Sequence, residues 1–263
     1  MKKLLLVFAI LGFFMACQSA QKFVNKDVPN TPAVGFNTEG SDAKAIEIAD
    51  SVMKACGGRY AWDMTRYIRW TFFNNRSLVW DKTKEKVRID FLNNDMKIRL
   101  DLKTMTGRVW KDGMEMTQPD SLKKYLERGK GIWINDSYWL VMPFKLKDSG
   151  VTLKYLGQKK NALNVDCDVL EMTFKAVGNT PDNKYHVYVN PSSHLVVQWD
   201  YYAKATNEKP SMSTPWSDYR ALGNIMLALS RGDNRSMLPI GVYRSMPDSV
   251  FTSFNTIDWT KLK

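Results

Sequence analysis

The chain has 263 residues, a formal net charge of +11 and 44% hydrophobic residues, enough for one domain with a sizeable core. A pI near 9.4 taken alone raises nucleic acid as a partner. No run of 18 uncharged apolar residues follows the N-terminal segment, which excludes a conventional membrane-spanning helix there.

The N-terminal residues have the pattern of a secretory leader. Lys2 and Lys3 are followed by an uncharged stretch, Leu4 to Ala16. As a helix this stretch would reach only about 20 Å, short of the roughly 30 Å hydrocarbon core of a bilayer. Residues 1–16 are therefore predicted to be a signal peptide. Export removes nucleic acid as a partner and leaves anionic phospholipid headgroups, although a basic surface can also be simply solvated.

The four residues from Phe14 to Cys17 read Phe-Met-Ala-Cys and resemble a bacterial lipobox. This resemblance implies cleavage before Cys17 and attachment of acyl chains to that cysteine. Gln18 stands where an aspartate retains many such proteins in the inner membrane, so the resemblance favours the outer membrane. The alternative is an ordinary leader cut near Ser19.

A segment with little hydrophobic periodicity follows. Residues 17–40 contain Pro29, Pro32, Gly35 and Gly40, a composition typical of a flexible linker. We therefore expect a lipidated Cys17 with a tether over residues 17–40, and one folded domain over residues 41–263.

The domain is predicted to begin with a helix and continue as strands. Apolar residues recur at helical spacing between a Ser41 cap and Gly57-Gly58. The period then becomes two, and the segments Arg66–Phe73, Val87–Phe91 and Met96–Lys103 read as antiparallel strands with one wet face. The basic wet face of the third segment would suit an anionic surface.

The remaining chain continues the β pattern. The sequence predicts a two-residue hairpin at Asp112-Gly113, a short helix over 120–128 ended by Gly129, a long hairpin over 185–201 and a strand over 225–229. In total we expect nine to eleven strands and two or three helices. The predicted class is mainly β (α+β): a large curved antiparallel sheet that forms an incomplete β-barrel with the helices covering it.

Few residues suggest chemistry. Export permits a disulfide between Cys56 and Cys167, although lone cysteines are more often small buried apolar residues. His186 and His194 lack the spacing of a common zinc motif. Asp166 and Asp168 could share a strand face and bind a cation, but a solvent-facing pair is the simpler interpretation. A shift of the apolar alternation predicts a β-bulge near Val169. No cofactor is expected.

Large apolar side chains stand out: the chain has 9 Trp, 11 Tyr, 12 Phe and 14 Met. Such side chains can line a pocket for acyl chains, or simply fill a core. From the strand patterns, the candidate ligand-binding residues on the concave side are Ile68, Trp70, Phe72, Ile89, Phe91, Ile98, Leu100, Val187 and Trp199.

The order of these elements resembles the LolA and LolB type of lipoprotein-localisation fold. The segments that carry the resemblance are the opening helix, the hairpins through Asp112-Gly113, "WLVMPFKL" from Trp139, "VYVNPSSHLVVQW" from Val187 and "MPDSVF" from Met246. The resemblance spans about residues 41–255. It implies an exported lipoprotein whose concave apolar cavity shelters acyl chains or another hydrophobic ligand without catalysis.

We therefore expect a monomeric, lipid-anchored protein of the outer membrane, facing the periplasm, whose partners are the membrane and a lipid or lipoprotein. Two alternatives remain open from the sequence. The first is an envelope interaction module with a filled core. The second is an exported hydrolase, which would need His186 or His194 as its base.

Overall fold

The computed structural model describes residues 28–175 and 182–262. These ranges contain 14 strands, four α-helices and two short 3-10 helices. The strands are β1 Tyr67–Phe72, β2 Arg76–Asp81, β3 Lys86–Phe91, β4 Lys97–Asp101, β5 Thr106–Lys111, β6 Met114–Glu115, β7 Val151–Lys160, β8 Asp166–Phe174, β9 Lys184–Val189, β10 Val196–Tyr202, β11 Met212–Pro215, β12 Ser217–Leu222, β13 Ile225–Ser230 and β14 Gly241–Tyr243. The α-helices are α1 Ala43–Ala55, α2 Gly58–Met64, α3 Pro119–Val141 and α4 Ser249–Thr252.

Every strand pair is antiparallel, in three hydrogen-bonded groups. Seven strands are ordered β14-β1-β2-β3-β4-β5-β6, five are ordered β11-β10-β9-β8-β7, and β12 pairs with β13. The seven-stranded sheet ends at β14 and β6, so it is open. The mainly β class and the incomplete barrel are therefore confirmed.

The register of the seven-stranded sheet explains its apolar face. Trp70 lies opposite Leu78, which is followed across the sheet by Ile89, Ile98 and Val109. All five side chains are buried in one core cluster. Because side chains alternate between the two faces of a strand, the period-two pattern of the sequence places this whole row on the same side.

The five-stranded sheet corrects the predicted bulge. Tyr155 pairs with Leu170 and Gln158 pairs with Asp168, so two residues of β7 lie opposite Val169 alone. The extra residue is on β7, where Gly157 adopts a φ of +79°, a conformation that glycine tolerates best. β8 itself keeps its alternation, because Val169 belongs to a small second cluster on the opposite face from Leu170.

One helix extends beyond its predicted end, and one further helix is present. α3 runs over 23 residues instead of stopping at Gly129. A Cβ on Gly129 would lie 3.0 Å from Ile98 Cγ2, so this glycine lets the helix approach the sheet closely. α1 does stop before Gly57, whose φ is +113°, but α2 starts at once and was not predicted.

The second half of the predicted tether packs against the domain. Residues of the 28–40 segment bond to the domain: Ala33 N–H donates to the Lys147 carbonyl and Asn37 N–H donates to the Val151 carbonyl. Phe36 is buried in the main core. The packed part of the chain therefore begins before Ser41, because one aromatic side chain and a short backbone pairing hold this segment. Residues 1–27, with the predicted signal peptide and Cys17, lie outside the described residues.

The face predicted to be wet is covered by the C-terminal segment. Arg88, Arg99 and Arg108 lie opposite one another on β3, β4 and β5. The Arg88 and Arg99 side chains are only 2% exposed. Their guanidinium groups donate to main-chain carbonyls of residues 250–255, and the Phe254 ring packs over Arg99 and Arg108. This part of the basic face is therefore unavailable to a membrane.

The two cysteines of the described residues do not form the disulfide that export would permit. Cys56 and Cys167 are buried free thiols in two separate apolar clusters. Burial raises the pKa of the Cys56 thiol to about 12. Both cysteines therefore serve as small apolar core residues, the alternative that the sequence left open.

Two arginines, Arg231 fully buried and Arg76 partly buried, hold α3 in place. Asp136 of α3 is fully buried and accepts two hydrogen bonds from Arg76 of β2, at 2.8 and 2.9 Å. Near the end of α3, Arg231 donates to the Trp139 carbonyl from Nε at 3.1 Å, and its guanidinium lies 3.6 Å from the centre of the Trp216 ring. This carbonyl belongs to the last turn, where helices lack internal donors.

The ion pair between Arg76 and Asp136 predicts that single and double variants differ strongly in their free energy of unfolding. Asp136→Leu should destabilise the fold by about 3–5 kcal/mol, because it leaves the Arg76 cation without its partner in a buried place. The double variant Arg76→Met/Asp136→Leu should recover most of that loss. Urea unfolding followed by circular dichroism measures both free energies.

Asp63→Leu is the matched control, since it breaks a helix ion pair with Arg59 whose carboxylate is 48% exposed. It should cost less than about 1 kcal/mol. A double variant as unstable as Asp136→Leu alone would contradict the assigned role of the pair.

Candidate ligand pocket

A mainly apolar concavity lies where the end of α3 meets the five-stranded sheet. Its volume is about 280 Å³, close to the lower end of the roughly 300–1,000 Å³ typical of ligand sites. The lining residues are Trp133, Ile134, Asn135, Ser137, Tyr138, Trp139, Lys145, Asp148, Ser149, Val151, Phe174, Asn183 and Tyr185. The pocket thus combines an aromatic wall with a few polar groups.

Three aromatic rings form the wall on the side of the sheet. The ring centre of Tyr138 lies 6.3 Å from Phe174 and 5.8 Å from Tyr185, and those two lie 5.8 Å apart at nearly a right angle. Such edge-to-face contacts hold rings rigidly. The Tyr138 hydroxyl lies 3.3 Å from Met172 Sδ, and burial raises its pKa well above the usual value. The wall therefore stays uncharged at neutral pH.

The three rings of this wall come from three different elements. Tyr138 and Trp139 belong to the last turn of α3, Phe174 ends β8 and Tyr185 follows the start of β9. Trp199 of β10 lies behind them, 4.7 Å from Trp139 and 4.8 Å from Tyr185. The tertiary placement of α3 therefore creates this wall.

Polar groups gather on another side of the pocket. Lys145 ends the 3-10 helix Met142–Lys145 that continues from α3, and its amine pairs with Asp148 three residues later. These side chains are 31% and 40% exposed, and Ser149 beside them is exposed. Lys145 is the one cation among the described lining residues. The pocket is therefore apolar within and charged at this edge.

Two further depressions of about 490 Å³ each are more polar. One lies between Lys97, Arg108 and the C-terminal segment, where Arg108 is already engaged by Glu115 with two bonds of 2.6 Å. The other lies along residues 28–32 beside α1. The first is lined by two aromatic rings, Trp110 and Phe254, among charged side chains, and the second by none, so the smaller pocket with its aromatic wall is the better candidate for an apolar ligand.

The candidate ligand residues from the sequence lie in the core and not in this lining. Eight of them belong to the main buried cluster and the ninth, Phe91, packs against it; they are Ile68, Trp70, Phe72, Ile89, Phe91, Ile98, Leu100, Val187 and Trp199. Two of them have ring contacts with the lining: Phe72 packs against Trp139, and Trp199 packs against Tyr138, Trp139 and Tyr185. Direct contact with a ligand stays a prediction for these nine residues.

The lining residues could not be identified from the sequence, for a physical reason. Tyr138 and Trp139 lie beyond the predicted end of the helix. Trp139 opens the segment "WLVMPFKL", which carries part of the family resemblance but indicates no pocket by itself. Phe174 and Tyr185 were counted as ordinary strand residues. Their aromatic character was visible in the sequence, but nothing there showed that they converge.

The other residues considered for chemistry lie in polar pairs elsewhere. His186 is half-buried on β9, 3.2 Å from Glu171 and 2.9 Å from the Tyr202 hydroxyl, and burial lowers its pKa. Asp168 accepts from the Tyr155 hydroxyl at 2.8 Å. Among the described residues, no group of three or more His, Cys, Asp or Glu side chains has the arrangement of a metal site.

A second lysine, Lys82, lies outside the pocket lining on the ring of Trp62. The Lys82 amine contacts the Trp62 carbonyl and lies 3.3 Å from the centre of the Trp62 ring, which in turn stacks on Phe144 at 4.4 Å. Burial, with smaller contributions from neighbouring cations such as Lys145, lowers the pKa of Lys82 to about 7. Near neutral pH this amine is therefore close to its titration point.

In the described part of the chain no helix combines the length and apolarity needed to cross a bilayer. No family model and no curated protein matches the sequence. Among solved structures, the chain is similar to a DUF1329 family protein from Desulfovibrio piger, with 12% identity, a TM-score of 0.44 and coverage of 80% of this chain and 97% of the other.

It is also similar to a putative outer membrane lipoprotein-sorting protein domain from Vibrio parahaemolyticus, with 8% identity, a TM-score of 0.39 and coverage of 79% and 96%.

The environment of Lys82 predicts that the difference in unfolding free energy between the wild type and Lys82→Met depends on pH. The unfolded chain binds the Lys82 proton up to about pH 10.5, whereas the folded chain releases it near pH 7, so stability rises with pH between these values. Lys82→Met removes this dependence. The stability of the wild type relative to Lys82→Met should therefore increase by up to a few kcal/mol from pH 7 to pH 10.

Urea unfolding at pH 6.5, 8 and 9.5 measures the difference. Lys84→Met, at a neighbouring lysine whose side chain is 48% exposed, serves as the control and should show a constant offset. A constant offset for Lys82→Met as well would show that the amine remains charged on folding.

Proposed function

We propose that this protein binds a hydrophobic ligand, a lipid or an acyl chain, in the pocket between α3 and the five-stranded sheet, without catalysing a reaction. The observation that carries the proposal is the open volume of about 280 Å³ beside an aromatic wall. An apolar concavity of about this size with a few polar groups is typical of small-molecule sites. Each methylene group transferred from water into it would contribute about 0.8 kcal/mol.

The chemistry of the lining supports binding over catalysis. The described lining residues include neither histidine nor cysteine, and the buried Tyr138 phenol is held in its protonated form. A hydrolase would need a nucleophile next to a base. His186 already bonds to Glu171 and Tyr202 outside this lining.

We further propose that the protein is an exported lipoprotein anchored through Cys17 in the outer membrane, where it faces the periplasm. This part of the proposal comes from the leader and the lipobox-like residues Phe14 to Cys17. Residues 18–27 would then connect the anchor to the segment that packs on the domain from about Asn30 onward. The pocket would lie within reach of the membrane that supplies its ligand.

A second candidate function is an interaction module of the cell envelope. The hairpin between β7 and β8 presents Leu163, which is 78% exposed, and Val165, which is 41% exposed. The Asn161 side chain accepts from the backbone N–H groups of both residues and fixes this tip. An ordered apolar tip favours contact with a partner.

Filling the pocket tests the leading proposal. Ile134→Trp, on the lining face of α3, should lower the affinity for the neutral probe N-phenyl-1-naphthylamine at least tenfold, because the larger side chain occupies the volume that the probe needs. Probe fluorescence titration measures the affinity, and native mass spectrometry of the purified protein shows whether lipid co-purifies.

Lys130→Trp, at an exposed position of the same helix, is the matched control and should bind as the wild type does. Binding of neither lipid nor probe by the wild type would reject the proposal and favour the interaction module.

The anchor is tested at Cys17. Cys17→Ser should leave the fold intact and move the protein from the membrane fraction to the soluble fraction of Gram-negative cells, because the acylated side chain is lost. Ultracentrifugation followed by immunoblotting measures the distribution. The control Cys167→Ala should remain with the membranes, and retention of Cys17→Ser there would contradict lipidation.

A further inference from the structure

The volume of the pocket limits the size of its ligand. A methylene group is similar in size to a water molecule, which takes up roughly 30 Å³ in the liquid. A pocket of about 280 Å³ therefore holds on the order of nine such groups. That is one acyl chain of medium length, and the two or three chains of a membrane lipid or a triacylated cysteine would exceed the space.

The distribution of polar groups indicates which end of such a chain enters. Tyr138, Phe174 and Tyr185 offer ring surfaces that suit methylene groups. Lys145 supplies a positive charge at the edge of the same pocket and remains accessible to solvent. An apolar interior with one cation at its edge matches a ligand that has an apolar tail and one anionic head.

Asp148 is the internal competitor for that cation. It pairs with Lys145 as a partly exposed i,i+3 ion pair, with side chains 40% and 31% exposed, and ion pairs open to solvent contribute little stability. A ligand anion can therefore take the place of the Asp148 carboxylate at small cost. While Asp148 remains nearby, its negative charge opposes the ligand's own charge.

We propose that the ligand is a single-chain amphiphile with about ten carbons in its tail and an anionic head group, and that Lys145 recognises the head. This inference rests on the proposed function and narrows it, because hydrophobic binding alone requires neither a single chain nor a charge. Carboxylates and phosphate esters share the chemistry that Lys145 would recognise.

Isothermal titration of the full-length protein with matched probes tests the inference. Decanoate and 1-decanol share a chain and differ in charge. Lys145→Met should weaken decanoate binding about tenfold, Asp148→Asn should strengthen it severalfold, and neither change should alter decanol binding. Lys154→Met removes an exposed lysine from β7 that pairs with Asp42 instead, and it should leave all affinities unchanged.

Chain number and source are tested with three further probes. Affinity should stop rising between decanoate and hexadecanoate, and monodecanoyl lysophosphatidylglycerol should bind more tightly than didecanoyl phosphatidylglycerol. If decanoate binds more tightly than the lysolipid, the anion comes from a free fatty acid. If the lysolipid binds more tightly, the anion comes from a lipid head group.

The outcomes separate this inference from the proposed function. Equal binding of decanoate and decanol that Lys145→Met leaves unchanged would overturn the anionic head while hydrophobic binding stands. Tighter binding of hexadecanoate than of decanoate would overturn the tail length of about ten carbons, and tighter binding of the two-chain lipid would overturn the single chain. Binding of none of the probes by the wild type would remove the proposed function itself.

Discussion

The position of α3 depends on two arginines whose partners lie on this helix. Arg76 reaches the fully buried Asp136 from the seven-stranded sheet, and Arg231, itself fully buried, reaches the Trp139 carbonyl from β13. Burying a cation is costly unless it is bonded on several sides, so both arginines favour one placement of the helix. That placement carries the last turn of α3 to the five-stranded sheet, where Tyr138 and Trp139 become the wall of the pocket. The site is thus a consequence of how the helix is held.

Arginines also organise the opposite face of the seven-stranded sheet. The row of Arg88, Arg99 and Arg108 has few carboxylates beside it, chiefly Asp90 and Glu115. Main-chain carbonyls of residues 250–255 supply most of the remaining acceptors. The C-terminal segment is therefore part of the fold, and the charge that looked free in the sequence is mostly used to hold it. A basic pI in this chain partly reflects internal bonds, which weakens it as evidence for an anionic surface as partner.

Two properties of the pocket support the proposed function: its volume and the charged side chain of Lys145 at its edge. Its aromatic wall suits an acyl chain, and its volume suits one chain better than several. The cation of Lys145 adds a directional element that the core residues lack. Behind the wall, Trp199 and Phe72 pack against Trp139, so two of the candidate residues from the sequence support the pocket from a second layer. Two or three acyl chains together would need more space than this pocket, at about 280 Å³, provides.

The amino-acid sequence by itself determined the mainly β class, most strands and the apolar face of Trp70, Ile89 and Ile98, because alternation along a strand is a local property. The extension of α3 past Gly129 could not be predicted, since a glycine within a helix is explained only by the Ile98 side chain that it approaches. Likewise, the separation of Cys56 from Cys167 and the covering of Arg99 depend on which distant segments meet. Only the tertiary structure brought Tyr138, Lys145, Phe174 and Tyr185 to one pocket, because contacts between remote residues leave no periodic signal along the chain.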